Sequence, residues 1–155
     1  MKNLIADKEE EEKRLKALAE YRILGTEPES CYDDITKIAA RTCNVPISLM
    51  TLVDKDRQWF KSKVGFQTNE TRRDWSFCTH AIKEDNPLIV KDACLDKRFV
   101  DNPLVTGDPK IRFYAGFPLK NNDGNKLGTL CVIDRKAGSL NKVQLSIMEL
   151  LAKQI

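Results

Sequence analysis

Apolar and polar positions form their clearest pattern in residues 111–134, where two apolar runs flank a polar turn that contains Asp123 and Gly124. An Asp-Gly pair between such runs predicts an antiparallel hairpin, because glycine adopts the positive φ that tight turns require. The second run, residues 127–134, is almost free of charge and rich in β-branched and small residues. It predicts a central strand that is buried on both faces and needs helices to cover it.

Two helices are predicted ahead of the first strand. Residues 7–21 carry acidic residues first and basic residues later, which complements the helix dipole, and a narrow apolar stripe at Leu15, Leu18 and Ala19. This helix, within an N-terminal segment 1–24, either packs one face on the domain or pairs with its copy in a dimer. Residues 26–29 predict a capping box for the second helix. The predicted buried face of that helix comprises Cys31, Ile35, Ile38, Ala39 and Thr42.

The remaining elements follow along the chain. The pattern predicts a strand at 47–54, a more exposed strand at 57–64, a polar loop at 65–74, a short helix at 75–84, a strand at 88–91, and a loop with a helical turn at 92–109. A final helix is predicted at 140–155, with one apolar face formed by Val143, Ile147, Leu150, Leu151 and Ile155. No residue that usually ends a helix follows it, so we expect this helix to continue into an output domain.

This order of elements predicts an α+β fold with an antiparallel sheet. The long helices are expected on one face, and the loops and the short helix on the other. Loops covering a sheet leave a cavity more readily than packed helices do. The length of 155 residues suits a single domain, 1–155.

Composition narrows the class of protein. The net charge is +3, and basic residues are interleaved with acidic ones, so no surface for nucleic acid or anionic lipid is predicted. No apolar run approaches the roughly 18 residues of a membrane span. The first residues lack the long apolar region of an export signal, so we expect a cytoplasmic protein whose five cysteines are reduced.

The inventory of reactive residues argues against several kinds of catalysis. His80 is the only histidine, and no Cys-x-x-Cys pair occurs, so no metal site is predicted. A Ser-His-Asp triad would need His80, yet no Gly-x-Ser-x-Gly turn is present. Cys78 and His80 are two positions apart on a predicted helix and do not face each other, which makes a Cys-His pair geometrically poor. The sequence contains neither Gly-x-x-x-x-Gly-Lys-Ser/Thr nor Gly-x-Gly-x-x-Gly, the two glycine-rich motifs that bind nucleotide phosphates.

Six stretches of the sequence together resemble a GAF domain, the cytoplasmic sensory module. They are RILGTEP at 22–28, PISLMTLVDKDRQWFKS at 46–62, SFCTHAI at 76–82, DNPLVTG at 101–107, IRFYAGFPL at 111–119 and LGTLCVID at 127–134. The set resembles the bacterial subgroup found ahead of sensor histidine kinases and diguanylate cyclases. The resemblance implies a sheet of about six strands, a ligand cavity on one face, and a homodimer through the terminal helices on the other.

The sequence also departs from specialised GAF domains. The Asn-Lys-Phe-Asp-Glu signature of cyclic-nucleotide-binding members is not evident. In bilin-binding members the attachment cysteine commonly adjoins a histidine, whereas Thr79 separates Cys78 from His80. Haem would depend on His80 alone. No haem, bilin or metal cofactor is therefore favoured, and the expected ligand is an unidentified small molecule.

We predict a non-enzymatic sensory domain with a pocket of apolar walls and few polar groups. The expected pocket residues are Trp59, Trp75, Phe77, Cys78, His80, Phe99, Asn102, Arg112 and Tyr114. Arg112 and Tyr114 share one parity and should share one face of the hairpin, although the sequence does not say which face lines the pocket. Two alternatives stay open: a thiol redox enzyme of the GAF-fold methionine sulfoxide reductase type that uses Cys78, Cys94 or Cys131, and a pure dimerisation module with a filled cavity.

Overall fold

The structure of the chain is a computed structural model that describes residues 4–155, with side chains from residue 7 onward. The first three residues of the predicted N-terminal segment lie outside the described part. The α-helices are α1 (Leu4–Glu20), α2 (Ser30–Cys43), α3 (Phe77–Ala81), α4 (Pro103–Thr106) and α5 (Lys142–Lys153). The strands are β1 (Ile47–Val53), β2 (Arg57–Val64), β3 (Glu70–Arg72), β4 (Leu88–Val90), β5 (Phe113–Lys120) and β6 (Lys126–Asp134).

All six strands form one antiparallel sheet in the order β3-β2-β1-β6-β5-β4. The predicted α+β fold is confirmed. Strands β5 and β6 form the predicted hairpin, and β6 lies between β1 and β5. Gly124 has a φ of 82° in the turn. The side-chain oxygen of Asn121 accepts hydrogen bonds from the backbone N–H groups of Asp123 and Asn125, which holds the turn closed.

The two faces of the sheet are covered differently. On the helix face, Ala115 and Val132 pack with Met148 of α5 and with Ala39 of α2. On the opposite face, which we call the cavity face, Tyr114 and other side chains pack under segments 65–82 and 92–112. We call these two segments the covering layer. The alternation of side chains along each strand creates this division.

Helix α1 packs through Ala17 and Leu18 against Leu52 of β1 and Trp59 of β2. The predicted stripe is right at Leu18 and wrong at Ala19, which is exposed. The predicted capping box at 26–29 is also wrong. Helix α2 begins after Glu29, which makes no side-chain cap, and the Thr26 hydroxyl donates to the carbonyl of Ile23 instead.

The predicted faces of helices α2 and α5 are only partly right: Ala39 of α2 and Leu151 and Ile155 of α5 pack in the core as predicted, and other predicted residues do not. In α2 the buried residues are Thr36, Ala39, Ala40 and Cys43, whereas Cys31 and Ile38 are exposed. In α5 the buried residue is Met148, and the residues that pack beside it are Leu145, Leu151, Ala152 and Ile155. Val143 and Leu150 are 66% and 57% exposed. The reason is the same in both helices: contact with the sheet selects one side of a broad apolar surface.

Three further predictions need correction. Strand β2 is mostly buried, not exposed, because α2, together with α1 at Trp59, covers one of its faces and the covering layer covers the other. The predicted loop 65–74 contains β3, a short edge strand that pairs with β2. The helix predicted at 75–84 is shorter, because a 3-10 turn over Arg73–Trp75 precedes it and the Ser76 hydroxyl caps α3 by accepting from the N–H of Thr79. Among the described residues, no helix is both long and apolar enough to cross a membrane.

Candidate functional site

A cluster of four buried polar side chains lies on the cavity face beneath α3. The sulfur of Cys78 is 3.1 Å from the phenol oxygen of Tyr114 and 3.0 Å from Oγ1 of Thr129. Thr129 Oγ1 lies 3.1 Å from Oγ1 of Thr51. All four residues are buried. The cluster therefore satisfies its polar atoms internally, as buried polar groups require.

The hydrogen bonds of this cluster converge on sulfur. The Thr51 hydroxyl oxygen already accepts the backbone N–H of Thr129. The Thr51 hydroxyl proton is thus free to go to Oγ1 of Thr129, and the Thr129 hydroxyl then donates to Cys78. The phenol of Tyr114 lies within hydrogen-bond distance of the same sulfur atom and can donate its proton to it. Two hydroxyl donors aimed at one sulfur stabilise its thiolate form.

The pKa of Cys78 reflects this arrangement. Burial opposes ionisation, but the polar side chains of Cys131, Thr129, Thr51 and Tyr114 around the sulfur outweigh it and lower the pKa of Cys78 to about 6. Burial also raises the pKa of Cys131 and of Tyr114 well above their ordinary values, and the neighbouring Cys78 adds to both effects. Of these groups, Cys78 is the one poised to carry a negative charge.

Cys43 provides an internal comparison on the helix face. It is buried among apolar side chains of α2, α5 and the sheet. Burial alone raises the pKa of the Cys43 thiol to about 11. The pKa values of Cys43 and Cys78 thus shift in opposite directions, because hydroxyl groups surround Cys78 whereas burial is the cause of the shift at Cys43.

Tyr114 reaches this cluster by folding over a glycine. A Cβ atom on Gly116 would lie 2.1 Å from the Tyr114 hydroxyl oxygen and 2.6 Å from Cζ. The two residues are on the same face of β5, two positions apart, so the side chain of Tyr114 uses the space that a larger residue at position 116 would fill. The absence of a side chain at Gly116 therefore permits this position of the phenol.

Aromatic rings form the wall next to the polar cluster. The rings of Phe77 and Phe99 are stacked with centroids 3.9 Å apart, and Phe77 also contacts Tyr114 at 5.1 Å. His80 meets Phe99 edge-on at 4.9 Å. Burial lowers the pKa of His80, and the charges of Lys83 and Arg98 lower it further. At neutral pH, His80 is thus an uncharged extension of the aromatic wall.

Two spaces lie near the cluster. The inner cavity, bounded by Cys78, Tyr114 and Phe77, has a volume of about 20 Å³. Above it, the outer depression has a volume of about 630 Å³ and includes Trp75 and Pro109 in its lining. The residues common to both linings are Phe66, Thr71 and Leu104. These three side chains separate a surface depression of ligand size from a cavity that holds about one water molecule.

The comparison with known families decides the classification of the chain. The model of the GAF domain family matches residues 27–155. The chain belongs to the GAF domain family. Among curated proteins, it is 38% identical over 148 residues to a cyclic di-GMP phosphodiesterase from Pseudomonas aeruginosa; the match covers 95% of this chain and 25% of that protein. The chain thus spans only a quarter of that relative's length.

Solved structures with low identity share the fold. A GAF domain from an Acinetobacter phosphoenolpyruvate-protein phosphotransferase superposes with a TM-score of 0.67 at 14% identity, covering 93% of this chain and 89% of the other. A type II free methionine-R-sulfoxide reductase from Thermoplasma acidophilum gives 0.66 at 12% identity, with 88% and 91% covered. At this identity, the similarity establishes the GAF fold alone.

The GAF fold brings together some of the predicted pocket residues. Phe77, Cys78 and Tyr114 line the inner cavity, and Trp75 lines the outer depression. Phe99 is fully buried behind Phe77 and stacks on it.

Two predicted residues fasten the covering layer. The Asn102 side chain caps α4 by accepting the N–H of Leu104, and its amide group donates to the carbonyl of Trp75. The Arg112 guanidinium donates to the carbonyls of Val105 and Ile111. It reaches the same side of the sheet as Tyr114, as their shared parity predicts. Neither Asn102 nor Arg112 lines the inner cavity or the outer depression.

Trp59 was predicted for the pocket but lies on the other side of the sheet. Its neighbours in β2, Gln58 and Phe60, line the inner cavity, and alternation along the strand directs Trp59 towards α1. The aromatic side chain of Trp59 suggests a pocket wall, but side chains alternate along β2 and Trp59 therefore points to the face opposite the cavity. Its role is to hold Leu18 of α1.

The inner cavity has further lining residues that were not predicted. They are Leu49, Gln58, Phe60, Phe66, Thr71, Leu104, Ile111, Cys131 and Ile133. Cys131 lies directly opposite Leu49 in β1 and Gly116 in β5. Gly116 is two positions from Tyr114 and shares its face, so the alternation of side chains could have predicted that Cys131 also faces the cavity. Phe66, Thr71 and Leu104 come from loops and short elements, for which periodicity gives no signal. Among the described side chains, no group of three His, Cys, Asp or Glu residues is arranged to hold a metal ion.

Proposed function

We propose that the chain is a sensory GAF domain that binds a small molecule and transmits its bound state through the terminal helices to an attached output domain. The observation that carries this proposal is the double role of β5 and β6. Tyr114 and Cys131 face the inner cavity, while the adjacent Ala115 and Val132 pack with Met148 of α5. A displacement of these strands by a ligand would act directly on the packing of the last helix.

Access of a ligand to Cys78 requires a change in the covering layer. The inner cavity of about 20 Å³ holds no organic ligand. The outer depression of about 630 Å³ falls within the usual range for small-molecule sites. We propose that the ligand occupies the outer depression, contacts Phe66 and Trp75, and reaches Cys78 only when Phe66 and Leu104 move aside. Such a ligand shifts signalling only if it binds one helix arrangement better than the other.

The output domain is also part of the proposal. The resemblance to domains found ahead of histidine kinases and diguanylate cyclases suggests one of these enzymes. The relative named as a cyclic di-GMP phosphodiesterase adds a third output, the breakdown of cyclic di-GMP. The chain spans 25% of that relative, so the activity in its name describes the whole protein. We propose that the activity of an output domain, not of this domain, is the regulated quantity.

A homodimer through the terminal helices would complete this mechanism. Val143 and Leu150 lie seven positions apart on α5 and remain exposed, a spacing that places them on one side of the helix. Exposed apolar residues in such a row are typical of a helix that pairs with a second helix. We propose a second copy of the chain as the occupant of this surface.

The test of the proposed function is a ligand search on the purified chain. Native mass spectrometry would detect a retained molecule, and a thermal-shift screen of metabolites would detect new ones. A genuine ligand should raise the melting temperature of the wild type and of Trp59→Phe, and lose most of its effect with Trp75→Ala. If no molecule is retained and none stabilises the protein across a broad panel, the proposal fails, and the alternative of a pure dimerisation module with a filled cavity is favoured.

A second candidate function is thiol redox chemistry at Cys78. The lowered pKa of Cys78 and the proximity of Cys131 favour it. Reduction of a sulfoxide would consume two electrons and two protons from these thiols, giving a sulfide, water and a disulfide between them. Cys94 lies exposed on the surface, away from this pair. Turnover of a sulfoxide with dithiothreitol as the final reductant, abolished by Cys78→Ser, would support this alternative, and equal rates in both proteins would reject it.

A further inference from the structure

A three-residue ion network joins helix α1 to the covering layer. The Glu11 carboxylate accepts two hydrogen bonds from Arg14, each 2.9 Å long. The same carboxylate accepts a bond of 2.5 Å from the Arg73 guanidinium, 62 positions along the chain. Burial raises the pKa of Glu11, but Arg14 and Arg73 outweigh it and bring the pKa down to about 2. The network is therefore fully charged at neutral pH.

Arg14 fixes one end of this network to the sheet. Its side chain is only 6% exposed. Its guanidinium donates to the carbonyl of Val53, where β1 ends, at 2.7 Å, and lies 3.5 Å from the carbonyl of Leu127 in β6. Arg14 thus binds helix α1 to the sheet, and its ion pair with Glu11 holds the carboxylate at this position.

Arg73 fixes the other end to the segment that carries Cys78. Its backbone carbonyl accepts the hydroxyl of Thr79 and the N–H of Ser76, and so forms the turn that starts α3. Its guanidinium also donates to the carbonyl of Asp54 at 3.0 Å. A movement of α3 away from the sheet therefore pulls on Arg73.

Helix α1 and the end of α3 face each other across a surface groove at this point. A groove of about 680 Å³, lined by Glu11, Arg14, Arg73, Lys83 and Lys126 among others, lies between α1, the end of α3 and the β5–β6 turn. The Glu11–Arg73 ion pair spans this groove and joins α1 to the segment that precedes α3.

We propose that the Glu11–Arg73 ion pair couples the opening of the covering layer around Cys78 to the docking of helix α1. This inference rests on the proposed sensory function and specifies how its site is regulated. Opening of the layer breaks the pair and leaves Glu11 with Arg14 alone, so α1 loses one attachment. By reciprocity, a signal that displaces α1 frees Arg73 and eases the opening over Cys78.

The experiment measures the opening by the alkylation of buried thiols in the full chain. N-ethylmaleimide reacts with Cys78 when the covering layer opens, and mass spectrometry of peptides assigns the rate to each cysteine. We expect Glu11→Gln to raise the labelling rate of Cys78 by at least about fivefold. This is the lower end of the range that is typical of the coupling between two sites in a protein. The rate at Cys43, which is buried on the helix face, should stay unchanged.

Two controls separate coupling from general loosening. Glu12→Gln makes the same charge change at an exposed neighbour and should leave both rates unchanged. In an Arg73→Gln background, Glu11→Gln should add less than about twofold, because the pair is already broken. This double-mutant cycle also removes the effect of losing the Glu11–Arg14 bond. If Glu11→Gln does not fold, Glu11→Asp, which shortens the reach to Arg73, is used in its place.

Three results would overturn the proposal: no change at Cys78, an equal rise at Cys78 and Cys43, or full additivity in the Arg73→Gln background. None of these measurements uses a ligand. Failure of the coupling is therefore distinguishable from failure of the sensory function, which the ligand search tests by itself.

Discussion

The phenol oxygen of Tyr114 lies 3.1 Å from the sulfur of Cys78, and both side chains are almost completely shielded from solvent. This contact joins the central hairpin to α3 and stabilises the thiolate. It predicts that Tyr114→Phe will raise the pKa of Cys78 by about 1–2, since a hydrogen bond to a charged group is worth roughly 1.5–3 kcal/mol. The pKa of Cys78 is measured from the ultraviolet absorbance of the thiolate as a function of pH, with Cys78→Ser as the blank. Tyr21→Phe, at an exposed tyrosine, is the control and should leave the pKa unchanged.

The position of the Tyr114 ring predicts a stability cost at Gly116. In Gly116→Ala, the new Cβ would lie 2.1 Å from the Tyr114 hydroxyl, so the ring must move. We expect a loss of about 1–3 kcal/mol in the free energy of unfolding, as for other overpacked core sites. Gly138→Ala, whose Cβ would meet Phe113 at an ordinary 3.6 Å, should change it by less than about 0.5 kcal/mol. Urea unfolding compares the two, and equal losses would contradict this account.

The ion network of Glu11 predicts a particular pH dependence. The pKa of Glu11 in the folded protein is about 2, below its ordinary value of 4.5. A lowered pKa means that the stabilisation is complete above about 4.5 and is lost as pH falls towards 2. We expect Glu11→Gln to lower the unfolding free energy by about 1–2 kcal/mol at neutral pH, between the values for exposed and buried pairs.

The difference between wild type and Glu11→Gln should therefore shrink as the solution is acidified through this range. Urea unfolding of both proteins at a series of pH values measures it. A difference that stays constant down to the lowest pH would mean that the carboxylate charge is not what stabilises the fold.

Helix α5 predicts opposite behaviour for two of its apolar residues. Met148 is completely buried against the sheet, so Met148→Ala should cost about 2–5 kcal/mol in unfolding free energy. Val143 is exposed, and Val143→Ala should cost less than about 0.5 kcal/mol in the monomer. Urea unfolding at low protein concentration tests this pair. Similar costs at the two positions would show that the helix packs through a different side.

The exposed side of α5 also predicts the behaviour of the proposed dimer. Leu150→Glu introduces a charge into the pairing surface and should shift the protein towards monomer in sedimentation velocity, while the unfolding free energy of the monomer stays unchanged. Val100→Glu makes a comparable change at an exposed residue of the covering layer and should leave the association unaltered. A wild-type chain that is monomeric at high concentration would rule out this dimer.

Much of the fold was predictable because its signals are local. The alternation in residues 111–134 and the Asp123-Gly124 turn define the hairpin, and the parity of Tyr114 correctly places it with Arg112. Helix faces were less predictable. In α5 the apolar residues spread over more than one side, and only contact with the sheet decided that Met148 points inward and Leu150 outward.

The sequence by itself determined the family, the order of the elements except β3, and the two-faced hairpin, because periodicity and turn chemistry act between neighbouring residues. The tertiary structure alone decided the site. It directed Trp59 towards α1, surrounded Cys78 with the hydroxyls of Tyr114 and Thr129, and closed the cavity. It also brought Arg73 to Glu11. These contacts join residues far apart in the chain, and their existence depends on strand register and on the packing of loops, which have no periodic signal.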